Sequence, residues 1–251
     1  MHKFFVSPDA ISNKKAVIDG DDVKHIYKVL RLKAGDEVII NNSQGKEYLG
    51  RIHDVNKSTV VIDIIEAMDI NNESNLKVDL YQGLPKSAKM DYIVQKGTEI
   101  GINKITPIIT ERVIVKSELG EFKKTDRWRR IALEACKQSK RTLIPEINEP
   151  IEFQFLLTIL KNYDIVVVPY ENQEGFGIKK MCKSLQKEVK SAAVVIGPEG
   201  GFEEEEIKSL KDIGGYIVTL GPRILRTETA GIVTAALLQY ELGDLGGFIN
   251  E

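Results

Sequence analysis

The chain has 251 residues, of which 42% are hydrophobic and 29% are charged, and its formal net charge is -2. These values are ordinary for a soluble globular protein and allow one large or two modest domains with a sizeable buried core. Because the net charge is close to zero, overall charge identifies no partner, and nucleic-acid binding would require a local basic surface.

The cysteines and the hydrophobic segments bear on the cellular compartment. Cys136 and Cys182 lie far apart, which excludes a CxxC zinc or redox motif and argues against a disulfide scaffold. Residues 1–8 contain too few apolar side chains for a signal peptide. The sequence also has no run of about 20 apolar residues that would span a membrane. We therefore predict a cytoplasmic protein with reduced cysteines and no membrane partner.

Residues 1–70 are predicted to form a β-rich domain. Short segments rich in Val and Ile, separated by clusters of turn residues, predict strands over 37–40, 48–55 and 59–65. Apolar residues at helical spacing predict one helix over 21–32, with Asp21 as a candidate N-cap. Short strands around a single helix are typical of a small β-barrel.

An α/β domain is predicted over residues 71–251, after a polar linker at 68–75. The predicted strands cover 78–82, 104–109, 165–169, 193–196 and 216–220, and the predicted helices cover 90–101, 126–139, 179–189, 203–213 and 229–242. Alternating strands and helices favour a parallel sheet with helices on both faces. The runs 165–168 and 193–196 are apolar without alternation, as expected of strands buried on both faces.

Three of the predicted strands end in unusual loops, at 169–171, 197–202 and 220–230. In an open α/β sheet, ligands bind outside the carboxyl ends of the strands. The last two loops combine glycines, which let a backbone approach a ligand closely, with prolines that stiffen the chain. One such loop alone is equally consistent with packing. Two in consecutive units, with Arg226 and Glu228 beside them, favour a site for a nucleotide-like cofactor.

Several catalytic and metal-binding motifs are absent from the sequence, including the P-loop, the GxGxxG fingerprint, HExxH and GxSxG. The three histidines, His2, His25 and His53, all lie in the predicted β-rich domain, so a histidine base or metal ligand at the strand ends is not expected. The acidic run 203–206 is interpreted as the first turn of a helix, where the macrodipole favours negative charge. We therefore predict no bound metal.

Residues 77–146 form a basic region, with 15 Lys and Arg against 9 Asp and Glu. On a helix from Asp126, the side chains of Arg127, Arg130 and Lys137 share one face, from which they could bind phosphates. Trp128, the only tryptophan, either stacks on a base or lies in the core, and the core is the favoured interpretation.

The loops at 197–202 and 220–230 read Gly-Pro-Glu-Gly-Gly-Phe and Leu-Gly-Pro-Arg-Ile-Leu-Arg-Thr-Glu-Thr-Ala, and they resemble those of the knotted SPOUT methyltransferases. More closely, the chain resembles the RsmE family, the bacterial small-subunit ribosomal RNA uridine-N3 methyltransferases. Further matching segments lie at 2–6, 25–31, 86–91, 95–101, 134–139, 141 and 144–145. One departure is Leu143, where the family tends to carry a basic residue, so one RNA contact is expected to be missing.

The resemblance implies an N-terminal PUA-like β-barrel that binds RNA, over residues 1–70, and a C-terminal α/β methyltransferase domain with a trefoil knot, over 71–251. It also implies a homodimer that transfers a methyl group from S-adenosylmethionine to N3 of a specific uridine in the 16S rRNA of the small ribosomal subunit. The knot rests on the resemblance alone, because knots are very rare and the pattern of elements does not predict one.

The expected site residues follow from the three loops and from the chemistry that this reaction requires. Arg226 is expected to stabilise negative charge on the uracil oxygens, Glu228 is the first candidate for general base, and Glu199 is the second. Both carboxylates have an alternative role in hydrogen bonds within the loops. The residues expected to bind the cofactor are Pro169, Tyr170, Glu171, Gly197, Pro198, Gly200, Gly201, Leu220, Gly221, Ile224, Leu225, Thr227, Thr229 and Ala230. The residues expected to bind RNA are Arg31, Lys86, Lys89, Arg127, Arg130, Gln138 and Arg141.

Other functions are also consistent with the sequence. A related SPOUT enzyme could methylate another RNA position or a 2′-hydroxyl, and a non-catalytic assembly factor could combine the barrel with a decayed transferase domain. The intact Arg226, Glu228 and loop glycines argue against decay, and the basic region argues against an enzyme of small nucleotides. The apolar segment 231–242 fits burial within one subunit or between two.

Overall fold

The computed structural model describes residues 1–86, 88–113 and 122–247, and for residues 122 and 123 only the backbone is described. Ser87, within the matching segment 86–91, therefore lies outside the described residues. The chain divides into two compact units, one of Met1–Glu73 with Cys136–Ile144 and one of Ser74–Ala135 with Pro145–Glu251. None of the described helices is both long and apolar enough to cross a membrane.

A single β-sheet forms the first unit. Its strands are β1 (His2–Phe5), β2 (Ile11–Ser12), β3 (Lys15–Ile18), β4 (Glu37–Asn41), β5 (Glu47–Val55) and β6 (Val60–Met68). They lie in the order β1-β4-β5-β6-β3-β2, in which β1 pairs with β4 in parallel and every other pair is antiparallel. Alternate residues of the strands face a core that includes Val38, Ile40, Val60 and Ile62, as the two-residue period of a strand requires.

The helix predicted over 21–32 is present but is shorter and irregular. α1 (Asp21–Lys24) continues into a π-helical turn at His25–Leu30, and Gly20 rather than Asp21 occupies the N-cap position. Arg31 ends the helix in the left-handed conformation, at φ 55°. A short 3-10 turn spans Pro8–Ala10 earlier in the unit.

A buried ion pair holds residues 141–143 to Glu73 within the first unit. Arg141 is only 5% exposed, and its Nη2 donates a hydrogen bond to Glu73 Oε2 at 2.6 Å. The other carboxylate oxygen accepts hydrogen bonds from the backbone amides of Thr142 at 2.8 Å and Leu143 at 2.9 Å. Both charges are largely removed from water, so their attraction offsets part of the cost of burying them.

The second unit is built on a parallel sheet. Its strands are β7 (Lys77–Gly83), β8 (Lys104–Ile109), β9 (Glu146–Ile147), β10 (Ile151–Glu152), β11 (Ile165–Pro169), β12 (Ser191–Ile196) and β13 (Tyr216–Val218). They lie in the order β10-β8-β7-β12-β11-β13, with β9 beside β8, and every pair is parallel. The helices of this half of the chain are α2 (Lys89–Glu99), α3 (Phe122–Ser139), α4 (Phe153–Leu160), α5 (Ile178–Ser184), α6 (Glu204–Asp212) and α7 (Thr227–Leu242).

This parallel sheet confirms the predicted α/β fold. β11 and β12 are buried along almost their whole length, as their unbroken apolar runs predict. The helix predicted over 179–189 ends at Ser184, and the strand predicted over 216–220 ends at Val218. α7 packs on β7 and β12 near the centre of the sheet.

The ion pair in the first unit gives a stability prediction. Glu73→Gln removes the carboxylate charge that pairs with the buried Arg141 guanidinium at 2.6 Å, so we expect the free energy of unfolding to fall by about 3 to 5 kcal/mol. Chemical denaturation followed by circular dichroism measures this loss. Glu66→Gln is the matched control because Glu66 is exposed on β6. Equal stability of the two variants would contradict the proposed role of the pair.

Candidate active site

The three loops singled out in the sequence lie together in the second unit. β12, β11 and β13 are parallel neighbours, so the loops that follow them leave the same edge of the sheet. Tyr170, after β11, donates its backbone amide to Val218 O at 3.0 Å. Gly201, in the loop after β12, lies so close to Glu171 that an added Cβ would be 2.8 Å from the Glu171 carboxylate.

A buried chain of hydrogen bonds joins β7, the loop after β12 and the start of α7. Gln82 Nε2 donates to Thr227 Oγ1 at 2.7 Å, and Thr227 Oγ1 donates to Gly197 O at 2.6 Å. Gln82 is fully buried, and its Oε1 has no hydrogen-bond partner among the described residues. The sequence interpretation did not single out Gln82. A glutamine near the carboxyl end of a predicted buried strand, beside the loops of the candidate site, is the signal that could have found it.

The glycines near this edge have different physical roles. A Cβ on Gly83 would lie 2.3 Å from the Pro198 nitrogen, so the end of β7 and the loop after β12 pack backbone against backbone. A Cβ on Gly197 would lie 3.2 Å from the Phe202 ring. Gly201 instead has φ +72°, a conformation that side chains rarely adopt. Close packing therefore explains Gly197, and backbone conformation explains Gly201.

Arg112, which the sequence interpretation did not select, holds the loop after β12 from its other side. Its Nη1 donates to Gly200 O at 2.9 Å, and its Nε and Nη2 form a bidentate pair with Glu203 at 2.6 and 2.9 Å. The hydrogen bond from Arg112 keeps the pKa of Glu203 below its ordinary value. An arginine in the loop after β8 carries no distinctive sequence signal, because its partners are set by tertiary packing.

The acidic run 203–206 starts α6, as predicted. Glu203 is the N-cap, and its side chain and that of Glu206 form a reciprocal capping box. Glu206 Oε1 also accepts a hydrogen bond from the backbone amide of Glu111 at 3.0 Å. Within the described residues, no group of three or more His, Cys, Asp and Glu side chains is arranged to hold a metal ion.

The two candidate bases lie on either side of one lysine. Lys89 Nζ, at the start of α2, lies 2.9 Å from Glu199 Oε1 and 3.4 Å from Glu228 Oε2. The backbone amide of Lys86 donates a second hydrogen bond to Glu199 Oε1, at 3.1 Å. Glu228 Oε2 is buried and accepts no well-formed hydrogen bond from the described residues, so Lys89 acts on it mainly by charge.

Glu199 and Lys89 stabilise each other in their charged forms. Partial burial raises the pKa of Glu199, but the hydrogen bonds from Lys89 and from backbone amides outweigh it, and the pKa lies below its ordinary value. The hydrogen bond to Glu199 likewise raises the pKa of Lys89. A carboxylate with a lowered pKa is a weak proton acceptor near neutral pH, so this geometry favours Glu228 over Glu199 as base.

The segment before α7 is open to solvent. Arg226 is the N-cap residue of α7 and is exposed, and none of the ion pairs among the described residues includes it. Ile224 is 88% exposed, which is unusual for an apolar side chain. Leu220, Leu225, Thr229 and Ala230 are partly buried, and Gly221 is exposed with φ +113°. The segment therefore presents apolar side chains and a cation next to the loops.

Two of the seven residues expected to bind RNA, Lys89 and Arg141, lie in a different environment from the rest, and Lys89 is in the ion pairs with Glu199 and Glu228. Arg31, Lys86, Arg127, Arg130 and Gln138 are exposed. Arg141 is buried against Glu73, and this geometry argues against the predicted RNA contact because the guanidinium stabilises the first unit instead.

The basic helix α3 carries its charges on its surface and its tryptophan inside. Trp128 is 3% exposed, so the interpretation as a core residue is confirmed. Arg127 Nη2 donates to Asp91 Oδ2 at 2.5 Å, and Lys137 Nζ donates to Asp22 Oδ1 at 2.9 Å within the first unit. Two of the three residues predicted to share a phosphate-binding face are thus in ion pairs.

Comparisons with known proteins all indicate the same family. An RNA methyltransferase domain family matches residues 72–239, and an RNA methyltransferase PUA domain family matches residues 18–65. Ribosomal RNA small subunit methyltransferase E from Bacillus subtilis is 37% identical over 92% of this chain and 91% of its own. The Aquifex aeolicus protein of the same name is 34% identical over 95% of this chain and 99% of its own.

This chain belongs to the ribosomal RNA small subunit methyltransferase E family. The resemblance to the RsmE family is therefore confirmed, and so is the α/β fold with an N-terminal PUA domain.

Two solved structures share the fold over nearly the whole RsmE chain. A Neisseria gonorrhoeae ribosomal RNA small subunit methyltransferase E bound to S-adenosyl methionine has a TM-score of 0.87 at 28% identity and covers 97% of this chain and 99% of its own. A methyltransferase from Legionella pneumophila in complex with the bound cofactor SAM has a TM-score of 0.86 at 31% identity and covers 97% and 98%.

The buried hydrogen-bond chain gives a second prediction. Thr227→Val removes the hydroxyl, so Gln82 Nε2 and Gly197 O each lose a partner, and we expect the second unit to lose about 1 to 3 kcal/mol of stability. Thermal unfolding measures this effect. Thr229→Val is the matched control, since Thr229 is partly buried two positions further along α7 and its side chain makes no such link among the described residues. An unchanged unfolding temperature for Thr227→Val would contradict the role of this chain.

Proposed function

We propose that this protein transfers a methyl group from S-adenosylmethionine to N3 of a specific uridine in the 16S rRNA of the small ribosomal subunit. The observation that carries the proposal is the convergence of the three loops with Lys89, Glu228 and Arg226 at one edge of the parallel sheet. Relatives named for small-subunit ribosomal RNA methylation, and two similar structures that hold S-adenosylmethionine, support it.

The residues of the three loops fit a nucleoside cofactor. Ile224 and its half-buried neighbours Leu220 and Leu225 offer apolar surface for an adenine, and the open backbone around Gly221 leaves room beside it. The remaining residues that would hold the cofactor are Pro169, Tyr170, Glu171, Gly197, Pro198, Gly200, Gly201, Thr227, Thr229 and Ala230. When bound, S-adenosylmethionine would supply a methyl group activated by its sulfonium, since the electron pair of the broken sulfur–carbon bond leaves with the sulfur as a neutral thioether, and the chain needs no metal for the transfer.

In the proposed mechanism the chain prepares the uracil. N3 of a neutral uracil carries a proton and is a poor nucleophile, so the N3–H bond must break as the new bond to carbon forms. Glu228 accepts this proton on a carboxylate oxygen, and the electron pair of the broken bond stays on N3. Arg226 donates to the uracil oxygens, over which the negative charge spreads. Holding the uracil in position contributes further, because alignment lowers the barrier strongly.

Substrate RNA is proposed to contact both units. The PUA domain match at residues 18–65 supports an RNA-binding role for the N-terminal domain, taken as residues 1–70, with the methyltransferase domain as residues 71–251. Exposed Arg31, Lys86, Arg130 and Gln138 are the proposed contacts, together with Arg127 after it leaves Asp91. We propose a cytoplasmic location, because ribosomal RNA, the proposed substrate, lies in the cytoplasm of a bacterial cell.

A homodimer is proposed from the surface of α7. The face with Gly231, Thr234, Ala235 and Leu238 is buried on the sheet. The opposite face carries partly exposed Ile232, Val233, Ala236 and Leu237, and Tyr240 on it is 65% exposed. An apolar helix face of this kind is typical of a contact between subunits.

The trefoil knot is proposed for the segment before α7. β13 lies at the edge of the sheet, whereas α7 packs on β7 and β12 near its centre, so residues 219–226 return across the ends of the strands. This return is the path along which the last helix would pass through a preceding loop.

The cofactor site gives a third prediction. Gly201→Val forces a branched side chain onto a residue with φ +72° and into the Glu171 carboxylate, so we expect the affinity for S-adenosylmethionine to fall by at least about 100-fold. Isothermal titration with the cofactor measures the loss. Gly214→Ala is the control, because Gly214 also has positive φ but open space around it. Unchanged cofactor affinity in Gly201→Val would refute the placement.

The reaction itself gives a fourth prediction. Small subunits from a strain that lacks this protein, incubated with the enzyme and S-adenosylmethionine, should gain a polymerase stop in primer extension, since a methyl on N3 blocks base pairing. Glu228→Gln is expected to lower kcat by about 100-fold or more and Arg226→Ala by a similar factor, with cofactor affinity nearly kept. Glu241→Gln, exposed at the far end of α7, should retain the wild-type rate.

Three outcomes would contradict parts of this assignment. A stop at a different position would indicate another RNA target, and no stop with the wild-type enzyme would reject the proposed function. A loss of cofactor affinity in Arg226→Ala as large as the loss in kcat would indicate that Arg226 binds the cofactor instead.

A further inference from the structure

One lysine brings together three segments that are distant in the sequence. Lys89 opens α2, Glu199 belongs to the loop after β12, and Glu228 lies in the first turn of α7. The side chains are 30% exposed for Lys89, 30% for Glu199 and 15% for Glu228. The charges therefore interact in a partly dry environment, where they are screened less than on an open surface.

The two carboxylates depend on Lys89 to different degrees. Glu199 also accepts a hydrogen bond from the Lys86 amide, whereas Lys89 is the only cation that pairs with Glu228 among the described residues. The other charges on these segments face elsewhere or are exposed: Asp91 pairs with Arg127, and the Lys86 and Arg226 side chains lie in solvent. Glu199 and Glu228 are the carboxylates that act on Lys89.

This arrangement has a clear electrostatic consequence. Two carboxylates that share a site repel each other, and without a cation one of them takes up a proton at a higher pH than usual. A protonated Glu228 cannot accept the N3 proton of uracil. Lys89 remains charged across neutral pH, since its hydrogen bond to Glu199 raises its pKa.

We propose that Lys89 is a positioning residue whose charge stabilises and orients the Glu228 carboxylate for proton transfer, rather than a contact for RNA phosphates. The inference rests on the function proposed above, in which Glu228 is the base. Glu199 acts as the fixed anchor for Lys89, because the Lys86 amide holds the Glu199 carboxylate, which in turn accepts a hydrogen bond from Lys89 Nζ at the start of α2.

The test measures kcat and the KM for small subunits against pH in Lys89→Met and Lys89→Arg. In Lys89→Met we expect kcat at neutral pH to fall by about 10- to 100-fold and the acid limb of the kcat profile to move up by about one pH unit or more, with KM nearly unchanged. Lys89→Arg keeps the charge and should restore most of kcat and the original limb. Lys86→Met, a neighbouring exposed cation, should leave the acid limb in place.

A second variant keeps the proposal testable if Lys89→Met folds poorly. In Glu199→Gln the charge of Lys89 interacts with Glu228 alone, so the acid limb of the kcat profile should move to lower pH while activity persists. Loss of all activity in Glu199→Gln would make Glu199 the base and overturn the proposal. A large rise in KM with an unmoved acid limb in Lys89→Met would identify an RNA contact and also overturn it.

Failure of this inference is distinguishable from failure of the proposed function. If the wild-type enzyme places no methyl on N3, the function itself is rejected. If it does so and the acid limb does not respond to Lys89, only the role of Lys89 is rejected. Titration with S-adenosylmethionine and thermal unfolding of each variant separate both cases from simple loss of the folded site.

Discussion

The hydroxyl of Thr227 is the contact on which the geometry of the candidate site depends. It accepts from Gln82 on β7 and donates to Gly197 O after β12, so two neighbouring strands are linked to the first residue of α7. Arg226 and Glu228 flank Thr227 in the chain. Fixing this one residue in a buried position therefore fixes the backbone of both catalytic candidates, while Arg226 stays exposed and Glu228 turns toward Lys89.

Several independent contacts also hold the loop after β12 in place. Arg112 donates hydrogen bonds to Gly200 O and Glu203 on one side. The capping box of Glu203 and Glu206 fixes the start of α6. On the other side, Lys89 and the Lys86 amide donate hydrogen bonds to Glu199. A site assembled before substrate arrives does not need to reorganise during the reaction, and such preorganisation is a major source of catalytic power. The first turn of α7 adds to it, since Glu228 lies at the end of the helix where the dipole interacts favourably with a negative charge.

The features of the fold and of the candidate site that could be predicted from the sequence are those with a signal in neighbouring residues. The apolar runs of β11 and β12, the acidic start of α6 and the glycine-rich loops each carry a local signal, and each is found where it was expected. The strand β1 was not predicted, because four residues that pair in parallel with the distant β4 leave no alternating pattern of their own. Gln82 and Arg112 were not identified from the sequence for a related reason, because their hydrogen-bond partners at the site lie more than 80 residues away in the chain.

The distribution of charge along the sequence was also only partly informative about RNA binding. The basic excess over residues 77–146 suggested a broad phosphate-binding face, but counting residues does not reveal which charges are already compensated. Arg141 is buried in an ion pair, and releasing it to a phosphate would leave Glu73 without its partner, which is costly. Arg127 is different, because its side chain is 68% exposed and a surface pair with Asp91 contributes little. Exchange of such a surface partner for an RNA phosphate is nearly free of cost, so exposed pairs remain available for RNA whereas the buried pair does not.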